Sequence, residues 1–299
     1  MNEQRCGQAF MVETKRGLTG QAEGPNNSRA DLHLHTIYSD GVFHANKIVE
    51  RAKGLGLSVI SITDHDNVGG IDEAIETGKS LGVEVVPGVE LSIALNEKDI
   101  HLLAYFFDHT NQKLLDYLSF FRYERLKRAE RIVQKLNDIK VPLKLDSVLD
   151  QAGIGSVGRP HIASALLEEG LTGTYHEAFM KYIGVGAPAY EKKYQLSPLE
   201  ATQLVAQAGG LSFLAHPGKY TTELELSTLI QAGLDGIEVV HPSHNEARQE
   251  FYRGVVHQYF LLECGGSDYH GGKKNDEDVF GVYTVPLDIV EDMRNRLFA

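Results

Sequence analysis

Cysteine is nearly missing from this chain. Among 299 residues only Cys6 and Cys264 occur, one near the start and one inside an apolar run. Two such positions can build neither a disulfide framework nor a thiolate zinc site, so a reducing cytoplasm is the expected setting. Long apolar runs are missing too: stretches such as Leu102–Phe107 fall far short of the roughly eighteen residues that cross a bilayer as a helix. Residues 1–29 lack the apolar core of a secretory signal and the sustained amphipathic pattern of a transit peptide, and they read as a flexible leader. Positive charge is in short supply, with 29 Lys and Arg against 41 Asp and Glu and a net charge of −12. That balance works against sequence-independent binding of long duplex nucleic acid. A small anionic substrate would need local positive charge, which bound divalent cations supply.

The apolar share of 42% and charged share of 23% are those of an ordinary globular protein with a sizeable core. Short apolar runs alternate with helical periodicity, the pattern of β/α units. Seven runs are expected as strands: Asp31–Thr36, Leu57–Thr63, Val83–Glu90, Ile100–Phe106, Leu211–Ala215, Gly236–Val240 and Phe260–Cys264. Helices are expected over Ala45–Gly54 and Gly70–Leu81. After Phe107 the rhythm breaks. Leu115, Leu118, Ala129, Ile132, Val133, Leu136 and Ile139 fall at three- and four-residue spacings, which predicts one long amphipathic helix over Lys113–Ile139. Further helical segments follow near Asp146–Ala152 and Pro160–Glu169. The expected organisation is a leader (1–29), a first barrel part (30–107), a helical insertion (108–190) and a second barrel part (191–299).

The chemistry sits at the strand ends. His33 and His35 are two apart in DLHLHT, so on a strand both side chains leave one face. Other strands end in further metal-ligand types: Asp64-His65-Asp66, Glu90, His101, His216, and Asp268 with His270. If the strands are parallel and close into a barrel, all of these collect at its C-terminal rim. Imidazoles and carboxylates without thiolate suit Mn, Fe or Zn. Several such ligands on one rim point to a multinuclear centre, whose natural chemistry is metal-assisted phosphate-ester hydrolysis. His44, His109, His176 and His257 fall outside the pattern and read as surface residues.

Taken together, the HxH of His33 and His35 with the following Ser39-Asp40-Gly41, the Thr63-Asp64-His65-Asp66 string, Gly88-Val89-Glu90, the lone His101, Ala215-His216-Pro217 and the closing Ser267-Asp268-Tyr269-His270 resemble the PHP family, the polymerase and histidinol phosphatase domain. The resemblance runs over roughly residues 30–290. It implies an α/β fold, a distorted (β/α)7 TIM-like barrel with an inserted helical subdomain, and three divalent transition-metal ions (Mn, Fe or Zn). It would place His33, His35, Glu90 and Asp268 on one ion, with Glu90 bridging to a second held by His101 and His216. Asp40, His65 and His270 would hold the third. Asp31, Asp64 and Asp66 read as residues that orient the ligating imidazoles, with structural capping an equal reading for Asp66.

Gly155-Ser-Val-Gly-Arg-Pro-His161 precedes a helix expected to start near Pro160, a residue suited to a first helical turn. Backbone N–H groups at such a start favour anions, and Arg159 adds a bidentate donor. The GRPHIA string resembles the branch of the family that includes nucleotide 3′,5′-bisphosphate phosphatases, which turns Arg159 and His161 toward substrate. His241 and His244 in VVHPSH are candidate phosphate or acid–base contacts, with a structural turn at Pro242 an equal reading for His244. The mixed run Arg122–Arg131 interleaves Glu with Arg and reads as a solvated helix face. The expected reaction is hydrolysis of the 3′-phosphate of a nucleoside 3′,5′-bisphosphate by a metal-activated hydroxide, with Arg159 and His241 taking part. The expected partner is a small phosphorylated nucleotide, with short oligonucleotides as a further class, and neither long duplex nor membrane. Rival readings are a 5′–3′ exonuclease on 5′-phosphorylated oligonucleotides, a histidinol-phosphate phosphatase, and a non-catalytic polymerase-accessory module.

Overall fold

A computed structural model describes residues 28–96, 98–218, 221–272, 274 and 276–298. Apart from its last two residues, the expected leader lies outside the described residues, as does Cys6. Arg29, assigned to that leader, instead opens the first strand.

Strands β1 (Arg29–Leu34), β2 (Leu57–Ile62), β3 (Glu84–Leu95), β4 (Lys98–Tyr105), β5 (Leu211–Leu214), β6 (Gly236–Val240), β7 (Leu262–Gly265) and the two-residue β8 (Val285–Pro286) form one nearly closed, barrel-shaped sheet. Neighbours run in the order β7-β6-β5-β4-β3-β2-β1-β8. At the seam between β7 and β1, His35 N–H donates to the Tyr269 carbonyl at 3.0 Å. Gly266 is required there, because a Cβ would fall 2.5 Å from the Cβ of His33.

The strands are not all parallel. β1–β2, β2–β3, β5–β6 and β6–β7 pair parallel, whereas β4 runs antiparallel to both β3 and β5. The cause is local. β3 continues to Leu95, Asn96 takes a left-handed φ of 50°, and the chain returns with Lys98 opposite Leu95 in a tight hairpin. This reversal matters for the site. His101 lies in the first half of its strand, so only an antiparallel β4 brings it to the rim reached by the C-terminal ends of the others. A second difference concerns Phe260, expected in the last strand. It is the left-handed cap after the next-to-last helix, with φ 55°, and is 83% exposed.

Helices α1 (Ala45–Gly54) and α2 (Ile71–Leu81) bury Ile48, Val49 and Ala74 against Ile60 and Ile62. Between Tyr105 and Leu211 the chain leaves the sheet for α3 (Gln112–Asp138), α4 (Leu145–Ala152), α5 (Arg159–Glu168), α6 (Tyr175–Ala178), a π-helical turn (Phe179–Ile183) and α7 (Pro198–Gln207). The Asn111 side chain caps α3 by accepting from Leu114 N at 3.2 Å. Ile132, Leu136, Leu143, Val148, Ile162 and Leu166 form an apolar cluster of their own, and we propose 108–190 as an insertion on this ground. Helices α7, α8 (Glu223–Gln231) and α9 (Glu246–Tyr259) bury Ala201, Val205, Leu226, Leu229 and Tyr252 in one cluster with residues of β3 to β6. The last helix, α10 (Leu287–Leu297), packs Val290 and Met293 with Leu32, Val86, Leu103, Phe213 and Cys264.

Candidate active site

All nine residues expected to hold metal come together. β1 carries His33, with His35 just beyond its end; β3 carries Glu90 and β4 His101. The turns after β2, β5 and β7 supply His65, His216, and Asp268 with His270. Asp66, His216 and Asp268 adopt left-handed φ values of 50°, 27° and 52°. Strained non-glycine backbone of this kind persists where surrounding structure over-determines it, as at functional sites.

Three groupings emerge. His33 Nε2 lies 3.1 Å from His35 Nε2, 3.3 Å from Asp268 Oδ1 and 3.5 Å from Glu90 Oε2. The other oxygen of the same glutamate, Oε1, lies 2.8 Å from His101 Nδ1 and 2.9 Å from His216 Nε2. Around Asp40 Oδ1 stand His270 Nε2 at 3.3 Å and His65 Nε2 at 3.9 Å. His65 also reaches Glu90 Oε2 through Nδ1 at 3.0 Å, so it stands between two groupings.

These donors fit divalent cations. Asp40 Oδ1 and Oδ2, Glu90 Oε2, His65 Nδ1 and His101 Nδ1 are buried and make no hydrogen bond among the described residues. In four overlapping sets of these residues, namely His35, Asp40, His65 and His270, then His33, Glu90 and His216, then His33, His35 and Asp268, and finally His65, Glu90 and His101, the ligand atoms lie within 4.8 Å of one another, and buried lone pairs that converge in this way call for positive charge between them. Burial works against ionising Glu90, but the imidazoles of His65, His101 and His33 outweigh it and hold its carboxyl well below the usual range. Burial pushes His65 down to about 3, which leaves a neutral ring with lone pairs to share. His270 goes the other way: despite burial, Asp40 and Asp268 raise it to about 9. Lys274 Nζ stands 3.0 Å from Asp40 Oδ2 and adds positive charge there.

The carboxylates expected to orient imidazoles do something else. Asp64 accepts from Thr36 N at 2.8 Å and from the Ser39 hydroxyl, and so fixes the turn that carries Asp40. Asp31 accepts from Ser267 N at 2.9 Å and holds the segment before Asp268. Asp66 accepts from Ser92 N at 2.9 Å. The carboxylate that does grip an imidazole is Glu238 of β6: fully buried, it lies 2.8 Å from His33 Nδ1 and turns Nε2 toward the cluster, while its other oxygen accepts from His216 N. A lone Glu in the apolar string GIEVV was a signal for it, because a buried carboxylate is costly unless paired.

Beside the ligands lies a cavity of about 250 Å³ lined by His65, His101, Ser156, Arg159 and a wall of further cations, Arg125, Arg128, Lys193 and Lys274. Arg125 and Arg128 are buried, which corrects the reading of the charged run as a solvated face. Arg159 Nη2 pairs with Asp99 at 3.2 Å. Arg128 Nη2 and Ser156 Oγ are buried donors without a hydrogen-bond partner among the described residues.

The candidate histidines divide. His161 lines the cavity but spends Nδ1 on accepting Gly158 N–H at 3.0 Å, where it caps α5 and sets the turn before Arg159. His244 is a correction: Nδ1 donates to the Val239 carbonyl at 2.9 Å and Nε2 accepts from Gly218 N at 3.0 Å, which leaves no ring nitrogen for a ligand. His241 accepts Ser243 N–H at Nδ1, at 3.0 Å, so its neutral ring carries the proton on Nε2, 3.5 Å from Asp268 Oδ2.

Known proteins resemble this chain in sequence and fold. The chain is 32% identical to a 5′-3′ exoribonuclease of Haemophilus influenzae over 80% of this chain and 89% of that protein. It is 28% identical to a 3′,5′-nucleoside bisphosphate phosphatase of Chromobacterium violaceum, over 86% and 92% respectively. A crystal structure from Bifidobacterium adolescentis, described as a metal-dependent phosphoesterase, superposes with a TM-score of 0.83 at 31% identity, covering 91% of this chain and 98% of that one. Residues 31–184 match the family described as PHP domain. By that match and by the 32% identity over most of both chains, this chain belongs to the PHP domain family.

Proposed function

We propose that the chain is a metal-dependent phosphoesterase that removes the 3′-phosphate of nucleoside 3′,5′-bisphosphates, acting in the cytoplasm on small phosphorylated nucleotides. One observation carries the substrate class. Arg128 Nη2 and Ser156 Oγ are buried donors without an acceptor, in a cavity shared with Arg159, Lys193 and the ligands His65 and His101. A buried unsatisfied donor costs about 1–3 kcal/mol, so this wall is built for an anion separate from the one over the ligand cluster. A nucleotide with phosphates at both ends satisfies both places. Histidinol phosphate offers a single phosphate and carries positive charge of its own, which the cationic wall repels. The likeness to the Chromobacterium violaceum phosphatase supports the same reading.

Three ions of Mn, Fe or Zn would be held by the three groupings around Glu90 and Asp40. When bound, such ions activate water and neutralise charge that develops on the phosphoryl oxygens. Arg159, Arg128 and Lys193 bind and orient the 5′-phosphate. His241 Nε2, beside Asp268, is the group assigned to donate a hydrogen bond to the departing ribose oxygen, which takes its proton from the attacking water. The test is a comparison of kcat/KM for adenosine 3′,5′-bisphosphate, 3′-AMP and histidinol phosphate. The bisphosphate should lead 3′-AMP by about tenfold or more, the worth of one charge-assisted contact. Equal values for the two nucleotides would remove the basis for the reading.

A further inference from the structure

Two of the residues grouped around the third ion's place, Asp40 and His270, face one ammonium. Lys274 Nζ lies 3.0 Å from Asp40 Oδ2 and 2.6 Å from His270 Nε2. His270 Nδ1 is held by the Asp268 carbonyl at 2.7 Å, so Nε2 is the ring atom left to ligate, and it is the atom that Lys274 reaches. The other two groupings have no such neighbour. Among the described residues, Glu90 and Asp268 form ion pairs with imidazoles alone.

The contact can be given up without unpacking the core. Asp40 is 3% exposed, but the Lys274 side chain is 35% exposed, so the ammonium has a path from Asp40 to water. Asp40 Oδ2 makes no hydrogen bond among the described residues, so the pair holds by charge rather than by alignment. Asp276 accepts from His270 N and, at 2.6 Å, from Gly272 N, which ties down the backbone on both sides of Lys274. The long, flexible stem of the lysine is left to make the move.

We infer that Lys274 is a tethered competitor for the third ion. Its ammonium stands against Asp40 and His270 in that ion's stead and has to withdraw before both residues can ligate. A unit charge this close to two ligand atoms also repels a divalent ion that approaches them. The third place therefore fills at higher free metal than the other two, and Lys274 sets the difference. At low metal the chain carries two ions and an Asp40 neutralised by its own lysine; at higher metal it carries three. The inference rests on the reading of three ions held around Glu90 and Asp40.

The experiment is equilibrium dialysis of wild type, Lys274→Met, Lys274→Gln and Lys274→Arg against stepped free Mn²⁺ at neutral pH, with bound metal counted by atomic emission. Wild type should take up two ions first and the third only at about tenfold higher free Mn²⁺ or more. In Lys274→Met and Lys274→Gln the third uptake should move to about tenfold lower free Mn²⁺, the worth of one charge-assisted contact, while the first two stay within about twofold. Lys274→Arg, which keeps the charge, should follow wild type. Wild type that stops at two ions where Lys274→Met takes three supports the same role. Three ions of equal affinity in wild type, or a third uptake that is unmoved or weakened in both uncharged variants, overturns the competitor and leaves the three-ion reading standing. A change that falls alike on all three ions overturns it too. No more than two ions in any of the four proteins defeats the three-ion reading itself, and the role of Lys274 with it.

Discussion

Arg125 Nε donates to Asp66 Oδ2 at 2.9 Å, a buried pair that ties the long helix α3 to the residue after His65. The same guanidinium donates through Nη1 to the Val157 carbonyl at 3.4 Å, two residues before Arg159. One side chain thus links a ligand-bearing turn to the turn that presents the anion-binding arginine. Burial works against ionising Asp66, but Arg125 together with Lys193, the Ser92 N–H and His65 outweighs it and lowers the carboxyl below its usual range.

Removing one partner of such a pair strands a buried charge. Arg125→Met should therefore cost about 3–5 kcal/mol in urea unfolding at neutral pH, and Arg125→Met combined with Asp66→Asn should recover much of that loss. Because the folded Asp66 value is lowered, the contribution of the pair is present above the ordinary carboxylate range and disappears as pH falls through the folded value. A single variant as stable as wild type would show that the pair holds nothing together.

Glu238 tests whether the support of His33 matters to metal. Glu238→Gln keeps the shape but removes the anion 2.8 Å from His33 Nδ1. Mn²⁺ affinity by calorimetry should fall about 10- to 100-fold while the circular dichroism stays that of wild type. Unchanged affinity would mean that His33 is positioned by β1 alone.

Arg159 tests selectivity. Asp99 already pairs with its guanidinium, so a substrate lacking the 5′-phosphate does not leave it wholly unpartnered. Arg159→Ala should lower kcat/KM on adenosine 3′,5′-bisphosphate by about tenfold and on 3′-AMP by much less. Arg159→Lys should restore only part, since a point charge does not reproduce the planar fork. Equal losses on both nucleotides would assign Arg159 to the reacting phosphate or to the fold.

The anion wall should also show in the pH dependence. Burial pushes Lys193 down to about 7, with Arg125 adding to the fall. The side chain is charged below that value and neutral above it, so KM for the bisphosphate should rise between about pH 6 and pH 8. Lys193→Gln should flatten the profile. Its folded value also lies below the ordinary 10.5, so the unfolded chain binds more protons between about 7 and 10.5 and this group makes stability rise with pH across that window. A wild-type KM profile that matches the variant's would exclude Lys193 from phosphate binding.

The sequence made the ligands legible because each lies in a short string at the end of an apolar run, where strand periodicity and residue type can be read locally. The direction of β4 was not legible in the same way. Alternation looks alike in parallel and antiparallel strands, and the reversal depends on one turn residue, Asn96. Arg125 and Arg128 were hidden because Glu and Arg at helical spacing read as a solvent face until a neighbour such as Asp66 is known. Phe260 was drawn into β7 by its apolar neighbours, although its left-handed backbone closes α9. Lys193 carries no local signal, since its role follows only from the cavity it lines.

The most direct measurement follows phosphate release and nucleotide product from adenosine 3′,5′-bisphosphate, first after treatment with a chelator and then with Mn²⁺ restored. The account predicts no turnover without metal, and on restoration equal amounts of inorganic phosphate and 5′-AMP. Full turnover in metal-free protein, or 3′-AMP as the product, would contradict it.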